Sequence, residues 1–214
     1  MPDAVEICAL SKSFGKERVL RDISAVFEVG MIHGIVGRNG SGKTVLMKCV
    51  LGFLRPTGGH VVVLGRRIGR DAEFAPDTGM MIDTPGFIAT ESGRSNLRWL
   101  LGLRGAGDRG RVDEAMRVVG LDPASRKPVG KYSLGMRQRL GIAQAIMERP
   151  RLLVLDEPMN GLDNRGVEDM RRLFLGLRED GVTILMASHN PLDIRALCDT
   201  ISEMDAGVLT KRSR

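Results

Sequence analysis

The chain has 214 residues, of which 43% are hydrophobic and 27% charged, and its 32 lysines and arginines against 26 acids give a formal net charge of +6. These proportions are typical of a globular protein of one domain, and they exclude disordered, collagen-like and disulfide-framework classes. The positive charge favours anionic partners such as nucleotide phosphates, lipid headgroups or nucleic acid. Aromatic residues make up only 4% of the chain, which is poor material for stacking bases. We therefore expect no direct binding of nucleic acid.

The sequence carries no sign of a membrane span or a secretory signal. No run approaches the roughly 18 consecutive apolar residues that a membrane helix needs, and the first ten residues lack a basic segment followed by an apolar run. The three cysteines, Cys8, Cys49 and Cys198, lie too far apart to form a closed framework. These features predict a protein of a reducing, cytoplasmic compartment.

The first third of the chain reads as short strands around one helix. Alternating apolar residues predict strands over residues 5–10, 23–29, 31–36 and 60–64, with partly antiparallel pairing. Residues 43–51 form an unbroken helix-permissive segment directly after a cluster of glycines. The order strand, glycine-rich loop, helix therefore stands near the start of the chain.

The rest of the chain changes from helical to mixed patterns. Helices are predicted over residues 96–103, 112–119 and 136–147, within a helical insertion at about 85–150. Two continuous apolar runs follow, at 152–155 and 183–187, with a helix at 165–177 between them. Such runs are typical of strands buried on both faces, so we expect a parallel sheet with a right-handed crossover.

A phosphate-binding loop follows the third strand. The loop reads Gly37-Arg38-Asn39-Gly40-Ser41-Gly42-Lys43-Thr44 and lies between a strand and a helix, as this pattern requires. Its glycines let backbone N–H groups turn toward phosphate oxygens, and the helix N-terminus adds the positive end of its dipole. Lys43 is predicted to reach the terminal phosphates, and the Thr44 hydroxyl is suited to Mg²⁺. A purely structural glycine-rich turn is the alternative.

Two adjacent carboxylates, Asp156 and Glu157, end the predicted buried strand at 152–155. Side chains of successive strand residues point in different directions. Asp156 can therefore hold Mg²⁺ while Glu157 polarises a water for attack on the γ-phosphate. Two solvated acids at the end of a strand are the alternative interpretation.

A GTP-driven switch is a competing hypothesis. Asp83-Thr84-Pro85-Gly86 has the Asp-x-x-Gly form of GTPases about 40 residues after Lys43, and Asn160-Gly161-Leu162-Asp163 is close to their guanine-reading Asn-Lys-x-Asp. Against this hypothesis, Gly161 stands where the lysine should be. It also leaves the pair of carboxylates at 156 and 157 without a role.

The segment that ends 13 residues before Asp156 decides between these hypotheses. It reads Tyr132-Ser133-Leu134-Gly135-Met136-Arg137-Gln138-Arg139-Leu140-Gly141-Ile142-Ala143. Here the chain resembles the ATP-binding subunits of ABC transporters, whose signature is Leu-Ser-Gly-Gly-Gln followed by a basic, Gln-containing helix. The Ser-Leu-Gly-Met form is similar to the branch that serves bacteriocin, lantibiotic and other peptide or drug exporters. Without the other motifs, Ser133 would read as an ordinary helix N-cap.

The resemblance covers essentially the whole chain and implies a fold. It implies an α/β P-loop NTPase with a RecA-like core, an antiparallel β-subdomain and an inserted helical subdomain. We expect one ATP-binding domain over residues 1–214, with its core at 1–84 and 151–214. Mg²⁺-dependent ATP hydrolysis is the implied reaction, and ATP and Mg²⁺ are the implied cofactors.

The resemblance also implies roles for four further residues. Asp163 matches the family's D-loop, and His189 matches its switch histidine, which contacts the γ-phosphate. Phe14 stands where the family places an aromatic ring under the adenine, although an ordinary core phenylalanine is the alternative. Asp83 stands where the family usually has a glutamine that touches Mg²⁺ or the attacking water. Acids occur at this position in the exporter branch, so we place Asp83 among the candidate metal ligands.

The resemblance finally implies partners. In the family two copies, or two related ATPase subunits, meet head to tail when nucleotide binds. Ser133 and Gly135 of one copy would then complete the site that residues 37–44 form in the other. Transport also needs a separate membrane permease, so the chain is expected at the cytoplasmic face of the cell membrane. A soluble ABC-type ATPase that acts on nucleic acid, ribosomes or another protein remains the alternative.

Overall fold

A computed structural model describes residues 3–83, 86–103 and 108–212 of the chain. Strands and helices alternate along most of its length. The strands are β1 (Asp3–Phe14), β2 (Glu17–Glu28), β3 (Ile32–Val36), β4 (Gly58–Val63), β5 (Arg66–Arg67), β6 (Thr78–Met81), β7 (Leu152–Asp156), β8 (Thr183–Ser188), β9 (Thr200–Asp205) and β10 (Val208–Arg212). The helices are α1 (Lys43–Leu51), α2 (Gly93–Leu103), α3 (Arg109–Val118), α4 (Leu134–Ile146), α5 (Asn164–Glu179) and α6 (Pro191–Leu197), with a short 3₁₀-helix at Val129–Lys131.

A six-stranded sheet with the order β10-β9-β3-β8-β7-β6 forms the centre of the molecule. All neighbours in it pair in parallel except the hairpin of β9 and β10. All six residues of β8 are buried, as are the first four of β7. Burial on both faces explains their continuous apolar sequence. The parallel pairing predicted for these two strands is therefore confirmed.

A four-stranded antiparallel sheet, in the order β2-β1-β4-β5, makes the second layer. Strand β1 lies between β2 and β4 and pairs with both in antiparallel register. The predicted antiparallel pairing is confirmed, but β1 and β2 each extend over 12 residues and are longer than predicted. Irregular register along β1 explains the difference, because a bulge interrupts the alternation on which the prediction rests.

Helix α1 packs between the two sheets. Its buried residues Leu46, Met47 and Val50 join one hydrophobic cluster with side chains of the antiparallel sheet and of one face of the parallel sheet. The second cluster lies on the other face of the parallel sheet, where α2, α3, α4, α5 and α6 contribute buried residues. The α/β core and the antiparallel β-subdomain expected from the sequence are thus observed.

Helices α2, α3 and α4 lie between β6 and β7 in the chain, in the segment predicted as a helical insertion. The predicted boundary near residue 85 and the centre of a glycine-rich segment at 102–110 lie outside the described residues. Helix α4 also contacts β6 and thereby packs on the central sheet. Among the described residues no helix is long and apolar enough to cross a membrane, and α5, the longest, has 16 residues.

Five strands and α-helices, and the 3₁₀-helix at Val129–Lys131, were not predicted from the sequence. Strand β5 has two residues and β6 has four, which is too short for a periodic pattern to develop. Helix α6 and the hairpin of β9 and β10 lie in the last part of the chain. The sequence TISEMD of β9 mixes polar and apolar residues because this strand is only partly buried.

Candidate functional site

The phosphate-binding loop joins the end of β3 to the start of α1. Strands β3, β7 and β8 are parallel, so their carboxyl ends meet at one edge of the sheet. Residues 37–44, 156–157 and 189 all follow or end these strands. The topology therefore brings three separate predicted motifs to one place.

Two glycines of the loop cannot be replaced without distortion. A Cβ at Gly37 would stand 2.3 Å from the Met204 carbonyl oxygen, and Gly42 has a φ of +108°. Gly42 is also the N-cap of α1 and provides no side-chain cap for its N–H groups. The Ser41 Oγ atom is buried and has no hydrogen-bond partner among the described residues. Unpaired donors at a helix N-terminus are well suited to bind an anion such as phosphate.

The Lys43 side chain folds back across this loop. Its Nζ atom donates hydrogen bonds to the carbonyl oxygens of Gly37 at 2.6 Å and Arg38 at 3.1 Å, and the residue is only 6% exposed. A buried ammonium group needs such partners, because burying an unpaired charge is costly. The loop therefore holds one positive charge at its centre, where the sequence predicts phosphates.

The predicted Mg²⁺ ligands Thr44 and Asp156 are in contact. The Thr44 hydroxyl donates to Asp156 Oδ2 at 2.5 Å. Burial raises the pKa of the Asp156 carboxyl above its ordinary value, the Thr44 hydrogen bond lowers it, and the charge of Glu157 raises it. Within the described residues no group of three or more histidine, cysteine and acidic side chains could hold a metal. A hydroxyl and a carboxylate suit Mg²⁺, which commonly takes its remaining ligands from water and substrate phosphates.

Glu157 and His189, two of the three predicted catalytic residues beside Lys43, are also in contact. Glu157 Oε2 lies 2.8 Å from His189 Nδ1. Glu157 has a φ of +50°, which is uncommon for a residue with a side chain. Its N–H group donates to the Ala187 carbonyl oxygen at 2.9 Å, which ties it to the end of β8. Strained residues of this kind concentrate at functional sites.

A cavity of about 660 Å³ opens beside the loop. Its lining includes Lys43, Thr44, Asp83, Asp156 and Glu157. It therefore unites the loop, the two carboxylates and the candidate ligand Asp83.

Asp83 has a partner that the sequence did not predict. Its Oδ2 atom lies 2.6 Å from Lys48 Nζ on α1, with exposed side-chain fractions of 61% for Asp83 and 31% for Lys48. Asp83 also has a φ of +56°. The carboxylate is therefore held by a lysine that stands one helical turn after Thr44.

Phe14 lies at the end of β1 and is 47% exposed, so the alternative of an ordinary core phenylalanine is wrong. Its ring lies 4.9 Å from Lys12 Nζ, in cation–π contact. Phe14 is not among the residues that line the cavity beside the loop. Its role toward adenine stays a prediction.

The residues Ser133, Gly135 and Asp163 do not line the cavity beside the loop. They line a second cavity of about 850 Å³. Ser133 is the N-cap of α4 and accepts a hydrogen bond from the Met136 N–H at 3.2 Å, while Asp163 caps α5 through the Gly166 N–H at 2.7 Å. The capping role considered for Ser133 is therefore real. It leaves both side chains exposed at a surface.

Two further residues of the site, Lys48 and Gln138, were not predicted to act there. Lys48 has no signal beyond its helical spacing from Thr44. Gln138 belongs to the signature segment, but nothing in the sequence indicated its contact with the Glu157 carbonyl oxygen at 2.9 Å. Both contacts join residues from different motifs.

Comparison with known sequences identifies relatives along the whole chain. The sequence model of the ABC transporter family matches residues 20–160. The chain is 40% identical over 213 residues to the bacitracin transport ATP-binding protein BcrA of Enterococcus faecalis, a match that covers 99% of this chain and 69% of BcrA. It is 32% identical over 197 residues to the lantibiotic transport ATP-binding protein SrtF of Streptococcus pyogenes, covering 92% of this chain and 85% of SrtF.

Solved structures share the fold. An ATP-binding subunit of an ABC transporter superposes with a TM-score of 0.87 at 23% identity, covering 98% of this chain and 90% of that one. The ATP-binding cassette MJ0796, in a dimeric post-hydrolysis state bound to ADP and Pi, gives a TM-score of 0.85 at 22% identity and is covered completely. The predicted P-loop NTPase fold class is confirmed by these similarities.

Proposed function

Because the chain belongs to the ABC transporter family of ATP-binding proteins, we propose that it is the ATP-hydrolysing motor subunit of a transporter and drives a separate membrane permease. The whole of residues 1–214 would act as one ATP-binding domain. The observation that carries this proposal is the convergence of the phosphate-binding loop, the Thr44–Asp156 pair and the Glu157–His189 pair at one edge of the sheet.

Each residue of this edge has a role that follows from its chemistry. Lys43 would exchange its bonds to the Gly37 and Arg38 carbonyls for bonds to the terminal phosphates of ATP. Thr44 and Asp156 would hold Mg²⁺, with Asp83 close enough to contribute charge. When bound, Mg²⁺ supplies positive charge that neutralises the phosphates.

Glu157 would orient the attacking water and accept its proton. A carboxylate that accepts a hydrogen bond from His189 keeps one oxygen in a fixed direction and leaves the other oxygen for water. His189 is 60% exposed in its side chain and would contact the γ-phosphate. Phe14 would lie against the adenine ring.

A second copy of the chain would complete the site. Ser133, Gly135 and Asp163 line a second cavity and not the one beside the loop, as expected for residues that serve another copy. The structure of MJ0796 with ADP and Pi is dimeric. We propose a nucleotide-induced dimer of this chain, or a pair with a related ATPase subunit.

The relatives suggest the cargo class. BcrA is a bacitracin transport protein and SrtF a lantibiotic transport protein, so we propose export of peptide or drug-like molecules. Helix α2 offers a surface for the permease, since Trp99 is 66% exposed and Leu103 is 82% exposed. The two residues stand one helical turn apart, and contiguous exposed apolar patches mark interaction surfaces. The chain would work at the cytoplasmic face of the membrane.

Two alternatives are not favoured. A GTP switch would need Asp163 to read guanine, but its carboxylate caps α5. A soluble ABC-type ATPase that acts on nucleic acid or ribosomes lacks support among the transport proteins that are similar to this chain.

Lys43→Ala provides the test of the proposed function. The variant should lose ATP hydrolysis and bind ATP weakly, yet remain folded, because the two carbonyl acceptors it leaves can bind water. Lys16→Ala removes the same side chain from the exposed turn between β1 and β2 and should hydrolyse ATP normally. Hydrolysis by Lys43→Ala at the wild-type rate would refute the phosphate-loop assignment.

A further inference from the structure

Gln138 connects the signature helix to the candidate catalytic glutamate of the same chain. It lies on α4, five residues after the N-cap Ser133. Its Nε2 atom donates a hydrogen bond to the main-chain carbonyl oxygen of Glu157 at 2.9 Å. Because a carbonyl oxygen only accepts, the NH₂ group of Gln138 must face it, and the orientation of the amide is fixed.

The main chain of Glu157 needs this kind of support. Its φ of +50° lies in the left-handed region, which a residue with a side chain occupies only when the surroundings hold it there. The N–H group of Glu157 is held by Ala187 at 2.9 Å, and its carbonyl oxygen accepts the Asn160 N–H at 3.1 Å as well as the Gln138 amide. The Asn160 bond is local to the turn. The Gln138 bond instead comes from helix α4, outside this turn.

The position of the main chain decides the direction of the Glu157 carboxylate. Its Oε2 atom lies 2.8 Å from His189 Nδ1, and rotation at a strained φ would break this contact. A misplacement of about 1 Å at a reacting group can lower a rate by about 10²-fold. A donor that fixes the Glu157 carbonyl therefore affects the rate through the position of Glu157.

We propose that Gln138 is a positioning residue for ATP hydrolysis, which acts by holding the main chain of Glu157 in its left-handed conformation. The proposal rests on the proposed function, since it assigns a support to the group that would activate water. It has a structural consequence as well. Ser133 begins the helix that carries Gln138, so a displacement of α4 at the surface toward a second copy changes the support of Glu157 in its own site.

Gln138→Met and Gln144→Met make a matched pair of variants. Methionine keeps the length and helix propensity of glutamine but removes the amide donor. Gln144 lies on the same helix and is partly buried. It serves as the control because the hydrogen bonds to the Glu157 carbonyl oxygen come from Gln138 and Asn160. Gln138→Met should lower kcat by about 10–10²-fold with KM for ATP unchanged, because the lost support acts on the reaction step and not on nucleotide binding. Gln144→Met should leave both constants unchanged.

A double mutant separates positioning from general damage. In a chain that already carries Glu157→Gln, the addition of Gln138→Met should cause little further loss of hydrolysis, because residues that act through one group are not additive. Losses that multiply in the double mutant would overturn the proposal. Wild-type kcat in Gln138→Met would also overturn it.

A measurement without hydrolysis distinguishes failure of this proposal from failure of the proposed function. In the nucleotide-free chain labelled with ¹³C at glutamate carboxyls, the NMR signal that disappears in Glu157→Gln belongs to Glu157. Gln138→Met should shift or broaden that signal, and Gln144→Met should leave it in place. An unchanged signal in Gln138→Met overturns the positioning role whatever the activity. If Gln138→Met shifts this signal but the wild-type chain does not hydrolyse ATP, the proposed function alone is contradicted.

Discussion

Thr44 and Asp156, 112 positions apart in the chain, form a hydrogen bond of 2.5 Å from Oγ1 to Oδ2. The contact joins the first turn of α1 to the last residue of β7. It places a hydroxyl and a carboxylate side by side before any metal binds. The cost of this arrangement is the burial of a carboxylate, which raises its pKa.

Replacement of Asp156 by asparagine should stabilise the nucleotide-free chain at neutral pH. The raised pKa means that the folded state binds a proton at Asp156 more tightly than the unfolded state, so the ionised carboxylate destabilises the fold. That penalty is present above the folded-state pKa and disappears as the pH falls through it. The melting temperature of Asp156→Asn should therefore exceed that of the wild type at pH 7, and the difference should shrink on acidification.

The order of the melting temperatures of Asp156→Asn and the wild type should reverse when ATP and Mg²⁺ are present. Wild-type chain should gain melting temperature on addition of ATP with Mg²⁺, because a ligand that binds only the folded state stabilises it. Asp156→Asn should gain less, since one Mg²⁺ ligand has lost its charge. A lower melting temperature of Asp156→Asn in the absence of ligand at pH 7 would contradict the buried-charge argument.

Glu157→Gln should slow hydrolysis by about 10²–10⁴-fold, which is the usual contribution of a positioned acid–base group. The amide keeps the shape of the side chain, and Asp156 remains in place. ATP should then persist, and the variant should accumulate as an ATP-bound dimer that light scattering detects with excess ATP and Mg²⁺. Glu179→Gln, an exposed change at the end of α5, is the control. An inactive Glu157→Gln that stays monomeric at high protein concentration would mean that the permease is needed to bring two copies together.

Removal of either charge of the Lys48–Asp83 pair should shift the Mg²⁺ requirement of hydrolysis, in opposite directions for the two residues. Asp83→Asn removes a negative charge near Asp156, so half-maximal hydrolysis should need more Mg²⁺. Lys48→Met removes the balancing positive charge and should lower the Mg²⁺ requirement. Each shift should stay below about fivefold, because partly exposed pairs contribute at most about 1 kcal/mol. Identical magnesium titrations for both variants and the wild type would remove Asp83 from the metal site.

The exposed face of α2 should matter for the permease and not for ATP. Trp99→Ala and Leu103→Ala should leave the melting temperature and ATP affinity unchanged, because both side chains are mostly exposed. Sedimentation with membranes of the native cells should fall by about tenfold or more for Trp99→Ala, as for an aromatic residue at the centre of an interface. Val26→Ala, a change at an apolar residue of β2 that is 52% exposed, should sediment like the wild type. Normal sedimentation of both α2 variants would place the permease contact elsewhere.

Local patterns in the sequence were enough to locate the segments that form the candidate site. The glycine-rich loop before α1 is recognisable from its sequence, and its glycines permit the close approach at Gly37 and the φ of +108° at Gly42. The apolar run of β7 followed by Asp156 and Glu157 likewise specifies a buried strand that ends in two carboxylates. Both motifs lie within single segments, so periodicity and residue type alone identify them.

Contacts between segments could only be seen in the tertiary structure. Three such contacts depend on strand order and on the packing of α4 against the sheet: Glu157 with His189, Lys48 with Asp83, and Gln138 with the Glu157 carbonyl oxygen. The short strands β5 and β6 were missed for the same reason, since two to four residues carry no period and pair only because a neighbouring strand is already in place. Sequence determines which groups a segment carries, whereas hydrogen bonding between distant strands decides which of those groups come within reach of one another.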